Sequence, residues 1–426
     1  MAEPEIPEEI RTKIRGCGTS DIVIGVPSFN HAATIGHVLK TANQGLRECF
    51  PSARSIIVNV DGGSNDGTVE QARHSVRDEN ELLQVPYRPS PIQDYSPVQS
   101  GIPSKGNALR HIFEAARMLG ARACAVFSPE IKNFSPDWVG SLIQPVLAEK
   151  CDYAGACYAR QKFDGAITSG IVYPMTRSLY GKRIRYVIGG EFCSSQNLFN
   201  HLLSQEVWEG STTLFGIDIW MTTEAVCSGF RAAQVFLGKR VREPMEPAAD
   251  LSSVLKQILG VMFTEMEKNA RIWQRVRGSE SIPIFGKEDG VDATPVVVDA
   301  GRMIDSYKLG FKNLFELWSL VLPPAALLEL KKLTQRPNGD FQFPDLLWSH
   351  IIYDFAVAFH LKTMNRDHLL SALTPLYLGW VASFVLQMQE ADGSQVDARI
   401  EALCLRFEAE KPYLISRWRW PDRFNP

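Results

Sequence analysis

The chain has 426 residues, 45% of them hydrophobic and 22% charged, with a formal net charge of -3. That length favours two domains over one core, and the composition is that of a globular protein rather than a disordered or fibrous one. The slightly acidic balance excludes a general polyanion-binding surface, and with it nucleic acid as a partner, but not a small basic pocket.

The opening Met1-Ala2-Glu3-Pro4-Glu5 is acidic and lacks an apolar run, so no signal peptide is expected. Eight cysteines lie scattered, with no C-x-x-C pair, and read as reduced thiols, mostly in the core. Both features point to the cytoplasm.

Residues 1–20 read as a lead-in. Asp21 to Pro27 is a short apolar run expected to form a first buried strand, and Ile35, Val38 and Leu39 suit the helix after it. Residues 55–60 predict a second strand, and Thr68 to Val76 the helix that follows. The Pro-, Ser- and Gln-rich stretch from Tyr87 to Gly101 reads as a long loop. Lys105 opens a helix running to about Met118, and Ala123 to Phe127 is a further strand. This alternation predicts an α/β domain with a mainly parallel, Rossmann-like sheet and right-handed crossovers over 21–255.

Beyond residue 256 helical patterns dominate, at 254–276, 311–322, 325–333, 345–362, 368–388 and 397–408. Only Thr294 to Val298 looks strand-like, within a joining segment at 277–300. An all-helical C-terminal domain over 256–426 is expected, offering a surface for homo-oligomerisation. The uncharged stretch Leu369–Gln389 is nearly long enough to span a bilayer, but its Ser, Thr, Pro, Gly and Gln content suits a buried helix.

The chemistry concentrates at strand ends. The second strand runs into Asp61-Gly62-Gly63-Ser64-Asn65-Asp66-Gly67-Thr68. A carboxylate and a Gly-rich turn at the carboxyl end of a parallel strand suit a nucleotide, because backbone without side chains approaches closely. The same residues also suit a simple Asx-rich turn with Asp66 capping the next helix. Lys105-Gly106-Asn107, at a helix start, suits a diphosphate, or is a solvated surface lysine.

Val26-Pro27-Ser28-Phe29-Asn30 followed by the 61–68 motif resembles the opening of family 2-like glycosyltransferases of the GT-A fold. Asn133-Phe134-Ser135-Pro136-Asp137-Trp138, Gly189-Gly190-Glu191, Gly216-Ile217-Asp218 and Phe341-Gln342-Phe343-Pro344-Asp345 are similar, in order, to the retaining enzymes that make glycosylglycerates. The resemblance is greatest to the mannosylglycerate synthase family and looser to glucosyl-3-phosphoglycerate synthases. It implies a hexosyltransferase taking a GDP- or UDP-sugar to a small hydroxy-acid acceptor such as glycerate, with retention. Pro27, Phe29, Asn30, Asp61 and Asp66 would hold the nucleoside and Lys105 the diphosphate. Arg160, Thr168 and the Ile188 backbone would grip the acceptor carboxylate. Asp218 would sit at the reaction centre, with Glu191 near the sugar. Arg160 pairing with Asp164, and Glu191 and Asp218 as structural carboxylates, are the alternatives.

The resemblance breaks at the metal. Family members hold Mg2+ or Mn2+ with Asp-x-Asp and a later His, whereas this chain reads Ser128-Pro129-Glu130 and has no histidine between His201 and His350. Three explanations stand. Glu130 holds the ion with substrate phosphates; Arg242, with Lys239 and Lys105, replaces the ion; or turnover is lost and the protein is a sugar-nucleotide sensor or partner-binding protein. Lys239, Arg240 and Arg242 also read as a solvated strand edge. A sugar nucleotidylyltransferase is a weaker rival, lacking a Gly-rich loop after the first strand.

Overall fold

The structure, a computed structural model, describes residues 6–76, 81–87, 105–159, 161–209, 216–241, 251–286 and 298–421. The chain begins α1 (Glu8–Gly16), β1 (Ile22–Ser28), α2 (Ile35–Cys49), β2 (Ser55–Asp61), α3 (Thr68–Ser75), β3 (Leu82–Pro86) and α4 (Lys105–Met118). It continues through β4 (Ala123–Val126), α5 (Pro136–Leu147) and β5 (Tyr153–Ala159), then a π-helical turn at Thr168–Val172 and α6 (Tyr173–Tyr180). Next come β6 (Phe192–Ser195), α7 (Gln196–Leu203), α8 (Ile217–Cys227), β7 (Ala232–Lys239), α9 (Leu251–Lys268), α10 (Ala270–Trp273) and β8 (Ile284–Phe285). The remainder is helical: α11 (Ala300–Ser319), α12 (Pro324–Thr334), α13 (Asp345–Leu361), α14 (Arg366–Ala372), α15 (Thr374–Met388), α16 (Gly393–Ala409) and α17 (Lys411–Arg419).

Two compact units interleave along this chain. The first comprises Met1–Tyr158, Tyr186–Ala249 and Ile282–Glu288, and the second Ala159–Arg185, Asp250–Ser281 and Asp289–Pro426. The chain therefore crosses between units several times instead of dividing once near 255. The return at 282 has a local cause: β8 pairs in parallel with β7, Gln234 opposite Ile284 and Val235 opposite Phe285, extending the sheet.

The first unit is built on an eight-stranded sheet of order β3-β2-β1-β4-β6-β5-β7-β8. β1 pairs in parallel with β2 and β4, and β2 with β3. β6 runs antiparallel to both neighbours, β4 and β5. This is the mainly parallel α/β architecture expected from the strand–helix alternation. Every residue of β1 is buried, as a strand covered on both faces requires. On one face Ile22, Ile24 and Val26 share a core with Val38, Leu39 and Ala42 of α2 and Val139, Leu142 and Ile143 of α5. Elsewhere in this unit Phe113 of α4 stacks on Phe199 of α7 and meets Trp208 edge-on.

Chain order and sheet order part company at β1. Its successor β2 lies on one side and β4 on the other, which makes the carboxyl ends of β1 and β4 a topological switch point, the place where open α/β sheets hold their ligands. Strands β3, β5, β6, β7 and β8 are not among those the sequence pattern predicts. β5 reads Tyr-Ala-Gly-Ala-Cys-Tyr-Ala, poor in β-branched residues, and is held as a strand by its pairing to β6.

The second unit is a helical assembly. Phe341 and Phe343 of the Phe-Gln-Phe-Pro-Asp motif are buried around Tyr307, and the Phe343 amide donates to Ser383 Oγ at 2.8 Å. Asp345 accepts a bidentate pair from Arg399 at 2.7 and 2.9 Å. That motif therefore fixes the entry to α13. Fully buried Arg177 bonds Glu401, Glu408 and Ser279. Segment Arg366–Met388 is long and apolar enough to cross a membrane, the single such segment among the described residues, yet 72% of its apolar window is buried inside the protein. The strand-like Thr294 to Val298 run lies outside the described residues up to position 297, as does the 87–101 loop beyond Tyr87.

Candidate functional site

The exits of β1 and β2 are laced into one loop pair. In register, Ser28 faces Asp61. Asp61 Oδ1 accepts from the amides of Gly63 and Ser64 at 2.9 and 2.8 Å, and Oδ2 accepts from Ser28 Oγ and Ser64 Oγ at 2.8 and 2.7 Å. Asp66 accepts from the Ala32 and Thr68 amides, both at 3.0 Å, and from Thr68 Oγ1 at 2.5 Å. These bonds outweigh partial burial and hold the Asp66 carboxyl below the usual carboxylate range. Asn30, at φ 57, donates its amide to Ser64 Oγ and accepts from the Asn65 amide.

Both aspartates therefore shape the turn, the role an Asx-rich turn would have. Pro27 is buried in β1, while Phe29 is half-buried and Asn30 exposed beside them. Gly62 has no room for a side chain: a Cβ would lie 2.9 Å from the Tyr87 hydroxyl and 3.3 Å from Phe29.

On the β4 side of the switch point the chain leaves through Ser128-Pro129-Glu130. The Lys132 amide donates to Val241 O at 2.9 Å, and the Asn133 side chain bridges Lys239 O and the Val241 amide at 2.6 and 2.8 Å. That clamp holds residues 239–241 beside the β4 exit. Arg240 turns inward, its side chain only 9% exposed. Its Nη1 donates to Gly189 O at 2.9 Å and to Glu191 Oε2, and the guanidinium lies 4.6 Å over the Tyr158 ring. Tyr158 completes the triangle, donating to Glu191 Oε2 at 2.8 Å. Gly190, at φ +92, is required here twice over, since a Cβ would come within 3.1 Å of Arg240 Nη1.

Glu130 belongs to the same cluster. Its carboxyl is raised above the ordinary range by burial and by Glu191, against the pull of Arg240 and His31. Burial lowers His31, although Glu130, Asp66 and Asp61 all favour its charged form. His31 is thus the electrostatic neighbour common to both loops. The solvated-strand-edge reading fails for Arg240: the residue is a buried cation facing two buried glutamates. Arg242, expected at the diphosphate, lies outside the described residues.

Lys105 and Asp218, given separate roles from sequence, meet directly. Lys105 Nζ donates to both Asp218 oxygens at 2.8 and 2.9 Å, and the two side chains are 10% and 13% exposed. Lys105 is therefore no solvated surface lysine. Of the acceptor set, Arg160 lies outside the described residues. Thr168 is buried at the start of the π-helical turn in the second unit, and Ile188 is half-buried in the first.

The residues described around Glu130 form no all-protein cage for an ion, and Glu130 would hold one only together with substrate phosphates. Among the described residues no three His, Cys, Asp or Glu side chains are grouped to hold an ion. Ser128 offers only a hydroxyl, and a permanent cation, Arg240, already stands beside the two glutamates. Arg240, Tyr158 and His31 were missed from sequence as site residues. Nothing in the run Lys239-Arg240-Val241-Arg242 distinguishes an inward arginine from an outward one; the Asn133 clamp decides it.

No protein-family model matches the chain, and no curated protein matches it. Similar solved structures include glucosyl-3-phosphoglycerate synthase from Mycobacterium tuberculosis with Mg2+ and uridine diphosphate, at 20% identity and TM-score 0.42, covering 62% of this chain and 85% of that one. The same enzyme with Mn2+, UDP-glucose and phosphoglyceric acid matches at 20% identity and TM-score 0.42, covering 63% and 86%. A further mycobacterial protein matches at 19% identity and TM-score 0.42, covering 61% and 77%. A likeness at this level bears on neither the reaction nor the residues that perform it.

Proposed function

We propose that the chain is a GT-A-type glycosyltransferase that moves a hexose from a nucleotide-diphosphate sugar to a small hydroxy-acid, with retention, in the cytoplasm. One observation carries this reading. The exits of β1, β2 and β4 are neighbours at the point where the sheet order reverses, and His31, Asp61, Asp66, Glu130, Glu191 and Arg240 are electrostatically linked there. An open α/β sheet binds its ligand at such a switch point.

In this reading the laced loop of Asp61 and Asp66 presents Phe29, Asn30 and loop backbone to the nucleoside. The leaving diphosphate develops negative charge, which fixed donors stabilise without reorganising during the reaction. Asp218, neutralised by Lys105, serves to position substrate hydroxyls instead of attacking the sugar. Arg160, Thr168 and Ile188 remain the proposed acceptor contacts, with Arg242 near the phosphates.

The test pairs binding with turnover. Thermal-shift measurements with UDP and GDP report the base, because a ligand that binds only the native state raises its melting temperature. Incubation of UDP-glucose or GDP-mannose with glycerate or 3-phosphoglycerate is expected to release the nucleoside diphosphate and form a glycoside. Absence of any nucleotide-induced shift would refute the assignment. A second reading, a binding protein without turnover, is favoured by one feature: both oxygens of Asp61 are engaged by Ser28 of β1 and by Gly63 and Ser64 of its own turn. A nucleotide shift with neither transfer nor donor hydrolysis across the panel would select it.

A further inference from the structure

The residues around Glu130 suit a cation that is part of the chain better than one that is bound. Arg240 is anchored along one edge: both described bonds leave from Nη1, to Gly189 O and Glu191 Oε2, while Nε and Nη2 have no acceptor among the described residues. The plane is held from beneath by the Tyr158 ring, and the backbone by the Asn133 clamp. A guanidinium so held is a preorganised fork with a spare edge, matched to phosphate geometry. It lies beside Ser128 and Glu130 at the exit of β4.

We propose that Arg240 is the diphosphate-binding cation of this protein and takes over the charge-neutralising task of a divalent ion. The proposal rests on the nucleotide-sugar reading above. Glu191 and Tyr158 act through Arg240, fixing its orientation, and are positioning residues. A bound anion then meets a charge already desolvated and aimed, with no ion to recruit.

Calorimetry separates this proposal from the reading beneath it. Binding of UDP and GDP is compared with that of uridine and guanosine, in EDTA and in Mn2+. The wild type is expected to prefer diphosphate over nucleoside in EDTA by roughly tenfold to a hundredfold, the scale of hydrogen bonds to a charged group. Mn2+ should change that preference little. Arg240→Met combined with Glu191→Gln removes both members of the hydrogen-bonded ion pair together, and should abolish the preference while sparing nucleoside affinity. Arg240→Lys keeps the charge without the fork and should lose most of the preference. A preference that needs Mn2+, or that survives in either variant, overturns the proposal and leaves the nucleotide-sugar reading intact. A wild type that binds none of the four compounds overturns both.

Discussion

Replacing Lys105 by Met tests whether the Lys105–Asp218 pair is a working part of the first unit. The pair is nearly dry, 10% and 13% exposed, and both carboxylate oxygens depend on one ammonium. Stranding one member of a buried pair costs about 3–5 kcal/mol. Two features reduce that here. Asp218 lies in the first turn of α8, where the helix dipole favours a carboxylate by about 0.3–1 kcal/mol, and its residual exposure admits some water. A loss of about 2–4 kcal/mol is therefore expected for Lys105→Met. Urea unfolding followed by circular dichroism measures it, since a shift in midpoint at constant slope reports stability. In a double-mutant cycle, Lys105→Met with Asp218→Asn should recover at least half of the loss, because no charge is then left alone. A cost below about 0.5 kcal/mol for the single variant, as for a solvated surface ion pair, would refute the reasoning. So would strict additivity of the two substitutions.

Three further outcomes follow from the geometry. Gly62→Ala drives a methyl against the Tyr87 hydroxyl and Phe29, and should cost about 1–3 kcal/mol in the same urea assay, with weaker nucleotide binding by calorimetry. Asp66→Ala removes the acceptor for the Ala32 and Thr68 amides and should cost about 0.5–2 kcal/mol. Because the Asp66 pKa is lowered in the fold, its contribution is present above the ordinary value of 3.8 and disappears as pH falls through the folded pKa. Asp354, buried with Arg417 and Tyr413, has the opposite sign: burial lifts it from 3.8 to about 7 against both partners. Its contribution is greatest below 3.8 and is lost as pH rises through about 7, so Asp354→Asn should flatten the stability profile between those values. An unchanged slope in that variant would remove Asp354 as the cause.

What was legible in the sequence was whatever is local. The apolar run Ile22 to Val26, the turn chemistry of 61–68 and the helical periods beyond 300 each depend on neighbours within a few residues, so β1, the laced loop, α11 to α13 and α16 could be anticipated, whereas α14 and α15 read as one helix and α17 carried no signal. Asp61 and Asp66 were found for the right pattern, although their carboxylates shape the turn itself. Glu191, Asp218 and Lys105 were picked as chemically interesting, but their partners were not.

Partnership was settled by tertiary structure alone. Lys105 meets Asp218 across 113 positions, and Arg240 meets Glu191 across 49. Whether a basic residue after β7 faces water or the interior depends on Asn133, clamped to that backbone from the far side of the β4 exit. No local pattern records such a choice, because desolvating a charge is decided by what the rest of the chain brings to it. The interleaving of the units has the same origin. β5 and β6 are strands because they complete each other's backbone hydrogen bonds, and β8 returns to the first unit because β7 has an open edge to fill.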